Sequence, residues 1–361
     1  MSPPGRPKGE HRSAQHEGIP ASRPLRVGIA GLGRLGKRHA EQLARRTPGA
    51  QLVAACSPVA AELAWAREDL GVTTLHEDFE AFVRDPQLDA VVLVTPTTLH
   101  AGQTIAALEA GKHVFVEKPL SLDVASCERV EAVARQRPEL VAMVGFVRRF
   151  DPSYAQARAD IEAGAIGRPF LVRSQTCDMN DPEGFFVRFA PTSGGIFMDC
   201  SVHDIDLARW MLGNPKALRA FASGTIALHP GLAECGDVDN GLAIVEFEGG
   251  ARAVFYASRT MAHGHETSTE VIGTAGMLSV GVGAHRDRLQ TRDAGGVRHR
   301  AVADFFERFG EAFQHEIDAF VAACRGVSPA LTLTLADATE ATRIGQAITR
   351  SLKSGLPETV R

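Results

Sequence analysis

Lys118 ends the run His113-Val114-Phe115-Val116-Glu117-Lys118-Pro119, a short apolar stretch that stops at an ammonium group and a proline. Proline has no amide proton to give to a strand ladder, so the run reads as a strand that finishes there. The amine is presented where a buried strand meets a loop, a setting in which desolvation tunes a lysine for proton handling or for stabilising developing charge. A second chemical group sits at Asp199 and His203, inside Gly194-Gly195-Ile196-Phe197-Met198-Asp199-Cys200-Ser201-Val202-His203-Asp204-Ile205-Asp206. Residues four apart share a helix face, so the carboxylate and the imidazole can enter one cleft. A histidine with an acid beside it is the composition of a general base near neutral pH, and equally that of an ordinary hydrogen-bonded pair inside a helix. Asp204 and Asp206 bring further carboxylates, but a single histidine among them does not make a metal-ligand set, and no metal is expected.

These groups need elements to hold them. From residue 25 to about 144 short apolar runs alternate with helical segments: strands at 25–30, 51–55, 90–94, 114–116 and 141–145, helices around 39–43 and 100–109. Near-continuous apolar strands of this kind suit a doubly wound parallel sheet covered on both faces. Directly after the first strand stands Gly31-Leu32-Gly33-Arg34-Leu35-Gly36. In a Gly-x-Gly-x-x-Gly turn the first glycine permits the bend, the second lets backbone amides approach a pyrophosphate, and the third allows close helix packing at the positive helix terminus. Gly31, Gly33, Arg34, Leu35 and Gly36 are therefore candidates to border a dinucleotide. Where the second strand should end in a carboxylate for the adenosine ribose, the chain has Cys56-Ser57-Pro58. Ser57 can bond a hydroxyl without repelling a 2′-phosphate, yet no arginine follows to clamp one, so NAD is expected ahead of NADP. Thr95-Pro96-Thr97-Thr98-Leu99-His100 forms a polar turn at the carboxyl end of the sheet, where doubly wound folds bind ligands, and also a capped helix start.

After Asp151-Pro152 the pattern becomes a helix followed by extended segments at 168–176, 218–226, 241–248, 251–258 and 270–273, several broken at Gly-Gly or Glu-Gly. That reads as a second, α+β unit on a large, mostly antiparallel sheet. Helices at 305–324 and 336–352 close the chain and can pack back on the first unit. The expected division is a disordered leader over 1–23, rich in Pro, Gly, Ser and charge, a Rossmann unit over 24–146, and a substrate-binding and oligomerisation unit over 147–361. With 361 residues, 44% hydrophobic and 23% charged, the chain can bury a sizeable core in each unit. A net charge of -4 offers no basic footprint for nucleic acid or an anionic membrane, which leaves a small-molecule partner. No apolar stretch reaches the roughly 18 residues of a membrane span. Cys56, Cys127, Cys177, Cys200, Cys235 and Cys324 are scattered without a C-x-x-C, against a disulfide scaffold or zinc knuckle, and the chain is expected to be cytoplasmic.

The Gly-x-Gly-x-x-Gly turn, Thr95-Pro96, Glu117-Lys118-Pro119, the tract Gly145-Phe146-Val147-Arg148-Arg149-Phe150-Asp151-Pro152, and Gly194-Gly195 followed by Asp199 and His203 together resemble the glucose-fructose oxidoreductase and inositol dehydrogenase family (Gfo/Idh/MocA). The resemblance covers nearly all of the chain after the leader and looks most like the inositol 2-dehydrogenase branch. It implies a Rossmann unit plus an open-faced sheet unit, assembly into homodimers or homotetramers through that sheet, and NAD(P)-dependent oxidation of a cyclitol or sugar hydroxyl. Carried over by residue, it makes Lys118 the lysine beside the reacting hydroxyl, His203 the general acid or base, and Asp199 its partner and a substrate ligand. Arg148 or Arg149 would help hold the polyol, with Asp178 and Asn180 as further hydroxyl contacts. Thr95, Pro96, His100, Glu117 and Lys118 would border the cofactor. Inositol dehydrogenases carry Tyr-Gly-Tyr where this chain has His263-Gly264-His265, which leaves the polyol open; His265 is a candidate contact, and the same three residues read as a solvent loop. The same site in reverse would serve a sugar or aminocyclitol ketoreductase. A non-catalytic NAD(P)-sensing regulator is the rival of another class, and the complete Lys118, Asp199 and His203 set speaks against it.

Overall fold

The computed structural model describes residues 23–283, 285–327 and 331–361. The expected leader lies outside these residues except for Arg23, whose guanidinium pairs with Asp89 at 2.7 Å. The first unit is a six-stranded sheet of β1 Leu25–Ala30, β2 Ala50–Cys56, β3 Thr74–His76, β4 Ala90–Leu93, β5 His113–Glu117 and β6 Ala142–Gly145, in the order β3-β2-β1-β4-β5-β6. Every pairing is parallel. Helices α1 Arg34–Arg45, α2 Ala60–Leu70, α3 Phe79–Val83, α4 Thr97–Glu109 and α5 Val124–Arg135 make the crossovers. Because helices cover both faces, Ala90 to Leu93 and Val114 to Val116 are buried without alternation. The order reverses between β1 and β4, which opens a crevice at the carboxyl ends of those strands.

The turn into α1 needs two of its glycines for steric reasons. Gly31 has φ +88, and a Cβ there would lie 2.4 Å from the Val94 carbonyl oxygen; one on Gly36 would lie 1.9 Å from the Gly31 oxygen. A Cβ on Gly33 meets nothing within 4 Å. Gly33 faces open space, which is where a ligand's phosphates would approach.

The second unit begins with α6 Pro152–Glu162, capped by the Asp151 side chain. Its sheet holds β7 Pro169–Met179, β8 Ala217–Thr225, β9 Asn240–Phe247, β10 Arg252–Met261, β11 Glu266–Gly273, β12 Met277–Val280 and β15 Glu358–Thr359, in the order β12-β11-β7-β10-β9-β8-β15. A small hairpin of β13 His285–Asp293 and β14 Gly296–Ala301 stands apart from it. The large sheet is antiparallel but for the parallel β7 and β10 pair. One face is covered by α9 Val202–Met211 and α11 Leu335–Ser354. On the other, Phe221 lies opposite Ile244, and Leu242 opposite Tyr256, so an apolar stripe stands open. Short helices α7 Phe185–Ser193 and α8 Ile196–Asp199 precede α9, and α10 Phe305–Cys324 returns to the first sheet, where Phe320 meets Phe115 at 5.8 Å between ring centroids. Gln346 of α11 also reaches the first unit, donating to the Leu122 carbonyl. No helix among the described residues is long and apolar enough to cross a membrane.

Gly36→Ala is expected to lower the unfolding free energy by about 1–3 kcal/mol, since backbone must move to admit the methyl group. Gly33→Ala should stay within about 1 kcal/mol of the parent. Urea unfolding of the two variants side by side checks the contrast.

Candidate active site

A cavity of about 350 Å³ lies where the carboxyl edge of the parallel sheet meets the mixed sheet. The first unit contributes Arg34 and Leu35 from the start of α1 and Glu117 and Lys118 from the end of β5; Val147 and Arg148 follow β6. The second contributes Thr176 and Asp178 of β7, Asp199, Cys200, His203 and His265. Six phenylalanines from α7 and α10, Phe185, Phe186, Phe189, Phe305, Phe309 and Phe313, form the apolar wall.

Lys118 reaches across the cavity. Its Nζ donates to the Asp199 carbonyl oxygen at 2.9 Å and lies 3.5 Å from Asp199 Oδ1. Asp199 Oδ2 accepts from Arg259 at 3.2 Å, and Arg259, with no exposed surface, is anchored by Asp237 at 2.9 Å. Asp237 in turn accepts the Ile196 backbone N–H, tying the start of α8 to this chain of charges. The expected Asp199 and His203 couple is therefore not formed. The helix is interrupted between Asp199 and Val202, and two cations claim the carboxylate. His203 lines the same cavity, with its Nδ1 buried and unpartnered and its ring edge-on to Phe146. Burial first, then the charges of Lys118 and Arg148, hold its imidazole well below the ordinary histidine range, so it stands neutral. Cys200 is no nucleophile, because burial pushes its thiol well up.

On β7, burial pushes the Asp178 carboxyl up, but a 2.9 Å bond to His265 Nδ1 and the charges of His265, Arg259 and Lys118 outweigh it and leave the group below the usual carboxylate range. Thr267 occupies His265 Nε2 at 2.6 Å, so this histidine orients Asp178 and is not part of a solvent loop; His263 is the exposed member, paired with Glu266. Arg148 borders the cavity, yet its guanidinium is taken by Asp204 at 2.7 Å and Thr176 at 2.6 Å. Arg149 does not border it at all: it is buried against Asp206 at 2.6 Å and Asp337 at 3.4 Å, stacked on Trp210. Its expected part in holding a polyol is corrected to a framework one. Asn180 stands outside the lining, with its N–H on the Met261 carbonyl.

The cofactor side also differs in detail. The Ser57 hydroxyl is buried and donates to Glu62 Oε2 at 2.5 Å, so it is not free for a ribose. Glu62, five residues on in the first turn of α2, brings a carboxylate to Ser57. Thr95 donates to Gln103, Pro96 caps α4, and His100 stands buried with Nδ1 and Nε2 each 2.8 Å from the carbonyl oxygens of Pro119 and Thr95. His100 thus ties the turn after β4 to the loop after Lys118 without facing the cavity. Arg34 lies over the Phe185 and Phe305 rings at 5.3 and 5.6 Å, joining the glycine turn to the apolar wall. Arg259 was legible in one respect: it continues the buried parity of Ala253, Phe255 and Ala257 on β10, where a charge demands a partner.

A lysine and a neutral imidazole converging on a cleft between a glycine-rich Rossmann turn and an open mixed sheet define a two-unit, dinucleotide-dependent oxidoreductase. Residues 25–146 match the model of the oxidoreductase family with an NAD-binding Rossmann fold, and residues 154–279 match the GFO/IDH/MocA C-terminal domain. The chain belongs to the Gfo/Idh/MocA oxidoreductase family. It is 39% identical over 336 residues to the scyllo-inositol 2-dehydrogenase (NAD(+)) of Bacillus subtilis strain 168, covering 92% of this chain and 95% of that one. A myo-inositol 2-dehydrogenase of Thermotoga maritima is 32% identical over 297 residues, covering 82% and 87%. The scyllo-inositol dehydrogenase of Lactobacillus casei, solved with bound NAD(H) and scyllo-inositol, superposes with a TM-score of 0.90 at 37% identity over 94% of this chain and 99% of that one.

Removing one partner of a buried ion cluster leaves its neighbours' charges uncompensated. Arg149→Met is therefore expected to lose about 3–5 kcal/mol in urea unfolding. An unchanged unfolding free energy would return Arg149 to the list of free ligand-binding groups.

Proposed function

We propose that the chain is an NAD-dependent inositol 2-dehydrogenase, oxidising a ring hydroxyl of scyllo-inositol, or of myo-inositol, to the inosose. The observation that carries this reading is the convergence of Lys118 and neutral His203 on one cavity beside the glycine turn. NAD held against the Gly31 to Gly36 turn would supply the acceptor for the hydride of the carbinol carbon. His203 takes the hydroxyl proton, a role for which a neutral imidazole is ready without prior deprotonation. Lys118, held by Asp199, stabilises the alkoxide as it forms, an electrostatic effect that strengthens where aromatic residues exclude water. Asp178, oriented by His265, accepts from further ring hydroxyls. A cyclitol with all hydroxyls equatorial has a polar rim and two C–H faces. That shape suits a rim of Lys118, Asp178, Asp199 and His203 set against Phe185, Phe186 and Phe189, and it puts scyllo-inositol first, as do the Bacillus and Lactobacillus relatives. Glu62, which reaches from α2 to Ser57 after β2, would repel a 2′-phosphate and so favours NAD over NADP.

Residues 24–146 form the cofactor unit in this reading and 147–361 the substrate unit. The open stripe of Phe221, Leu242, Ile244 and Tyr256 is the surface through which copies pair as a homodimer or homotetramer. All six cysteines are unpaired, which fits a cytoplasmic protein.

Lys118→Ala and His203→Ala are each expected to lower kcat for NAD reduction with scyllo-inositol by about 10²–10⁴-fold. Turnover near that of the parent in either variant would remove that residue from the mechanism. The base is lost only when His203 is protonated, and its folded-state value lies far below that of free histidine, so the acid limb of kcat/KM should fall well under the ordinary histidine range. A limb centred near about 6.5 would contradict the neutral site. Ile244→Asp is expected to yield monomers by light scattering where the parent gives dimers or tetramers.

A further inference from the structure

On α10 the apolar stripe Phe309, Ala312, Phe313, Ile317 and Phe320 has one member that does not belong by type: Glu316, with no exposed surface. Neither of its carboxyl oxygens has a hydrogen-bond partner. It faces Glu117 of β5 and His39 of α1, and side-chain ligand atoms of the three lie within 4.8 Å of one another. Glu117 is held: its Oε1 is 2.7 Å from His39 Nε2, and its Oε2 accepts the Lys118 backbone N–H at 3.1 Å. Phe115 and Phe313 pack on the His39 ring and keep the cluster apolar. The arginines near α10 are engaged elsewhere, Arg148 and Arg149 on Asp204 and Asp206, Arg34 and Arg38 on aromatic rings.

We propose that Glu316 is a positioning residue for the reaction: held as a neutral acid behind the cavity, it sets no second charge against Glu117, whose bonds to His39 and to the Lys118 main chain fix the strand end that carries Lys118. Two carboxylates this close in an apolar cluster cannot both ionise at modest cost. Glu117 has two donors and Glu316 has none, so Glu316 keeps the proton. Burial first, and then the charge of Glu117, push the Glu316 carboxyl well above the usual carboxylate range. Loss of that proton in alkali sets two charges against each other and drives Glu117 away from the Lys118 main chain.

The inference rests on the role given to Lys118, but its first test does not use activity. The native state keeps a proton on Glu316 over a pH range in which the unfolded chain has lost it, so this residue's contribution to stability falls as pH rises; glutamine has no such proton. The Tm of Glu316→Gln minus that of the parent should therefore rise steadily between about pH 5 and about pH 9. A difference that falls with pH, as for a charged ligand or ion-pair member, overturns the proposal, as does a Glu316→Gln protein that cannot fold, since a neutral isostere should be accepted. Stoichiometric bound metal in the purified parent, lost in the variant, also overturns it. In NAD reduction with scyllo-inositol, Glu316→Gln is expected to keep kcat within about threefold at neutral pH and to move the alkaline inflection upward by about half a unit or more. An alkaline limb identical to the parent's shows that Glu316 positions nothing.

Discussion

The Asp199 carboxylate stands between two cations, Lys118 from the parallel sheet and Arg259 from the mixed sheet, and this bridge sets how the two units face each other across the cavity. Its effect reaches beyond the pair. With Asp199 engaged by Lys118 and Arg259, burial and the charges of Lys118, Arg148 and His265 govern the His203 imidazole. A base that is neutral at rest accepts a proton without first losing one, and the imidazolium it becomes is a strong acid that readily gives the proton up. In the proposed mechanism one site would serve oxidation and its reversal alike, because the acid needed for carbonyl reduction is the conjugate of the base needed for oxidation.

The charges around the cavity are matched within the protein. Asp204 is satisfied by Arg148, Ser174 and Thr176, and Asp206 by Arg149. These two carboxylates follow His203 closely in sequence but face framework arginines. The pairings reach from the segment after β6 into α9 and α11, so the strand end bearing Lys118 and the helix bearing His203 share one rigid support. Breaking that support costs stability before it costs chemistry.

The doubly wound sheet was legible because its buried strands are continuous apolar runs and its first turn carries steric constraints that only glycine meets. Lys118 and His203 stood out by type and position, while their meeting in one cavity was implied only by the family resemblance. The partner of Asp199 was not. Helix spacing pointed to His203, whereas the winning interaction comes from Arg259, sixty residues away on a strand, and a long-range electrostatic contact leaves no periodic trace. The end of β2 shows the same kind of contact: Ser57 has no acid beside it in sequence, and Glu62 reaches it from the next helix. The His263-Gly264-His265 segment split into one exposed and one buried histidine, a division set by which ring Asp178 and Thr267 could reach. Charges at buried parity, such as Arg259 on β10 and Glu316 on α10, were the signal most open to use and least used.

The claim on which the account turns is that a neutral base and a tethered lysine act together on one hydroxyl of an inositol ring, with NAD as acceptor. Spectrophotometric measurement of NAD and NADP reduction by the purified protein, across inositol isomers, hexoses and pentoses, tests it most directly. The account predicts rapid NAD reduction with scyllo-inositol, slower reduction with myo-inositol, and little with NADP or with open hexose and pentose substrates. Reduction of NADP in preference to NAD, or turnover of a hexose with none of any inositol, would contradict it.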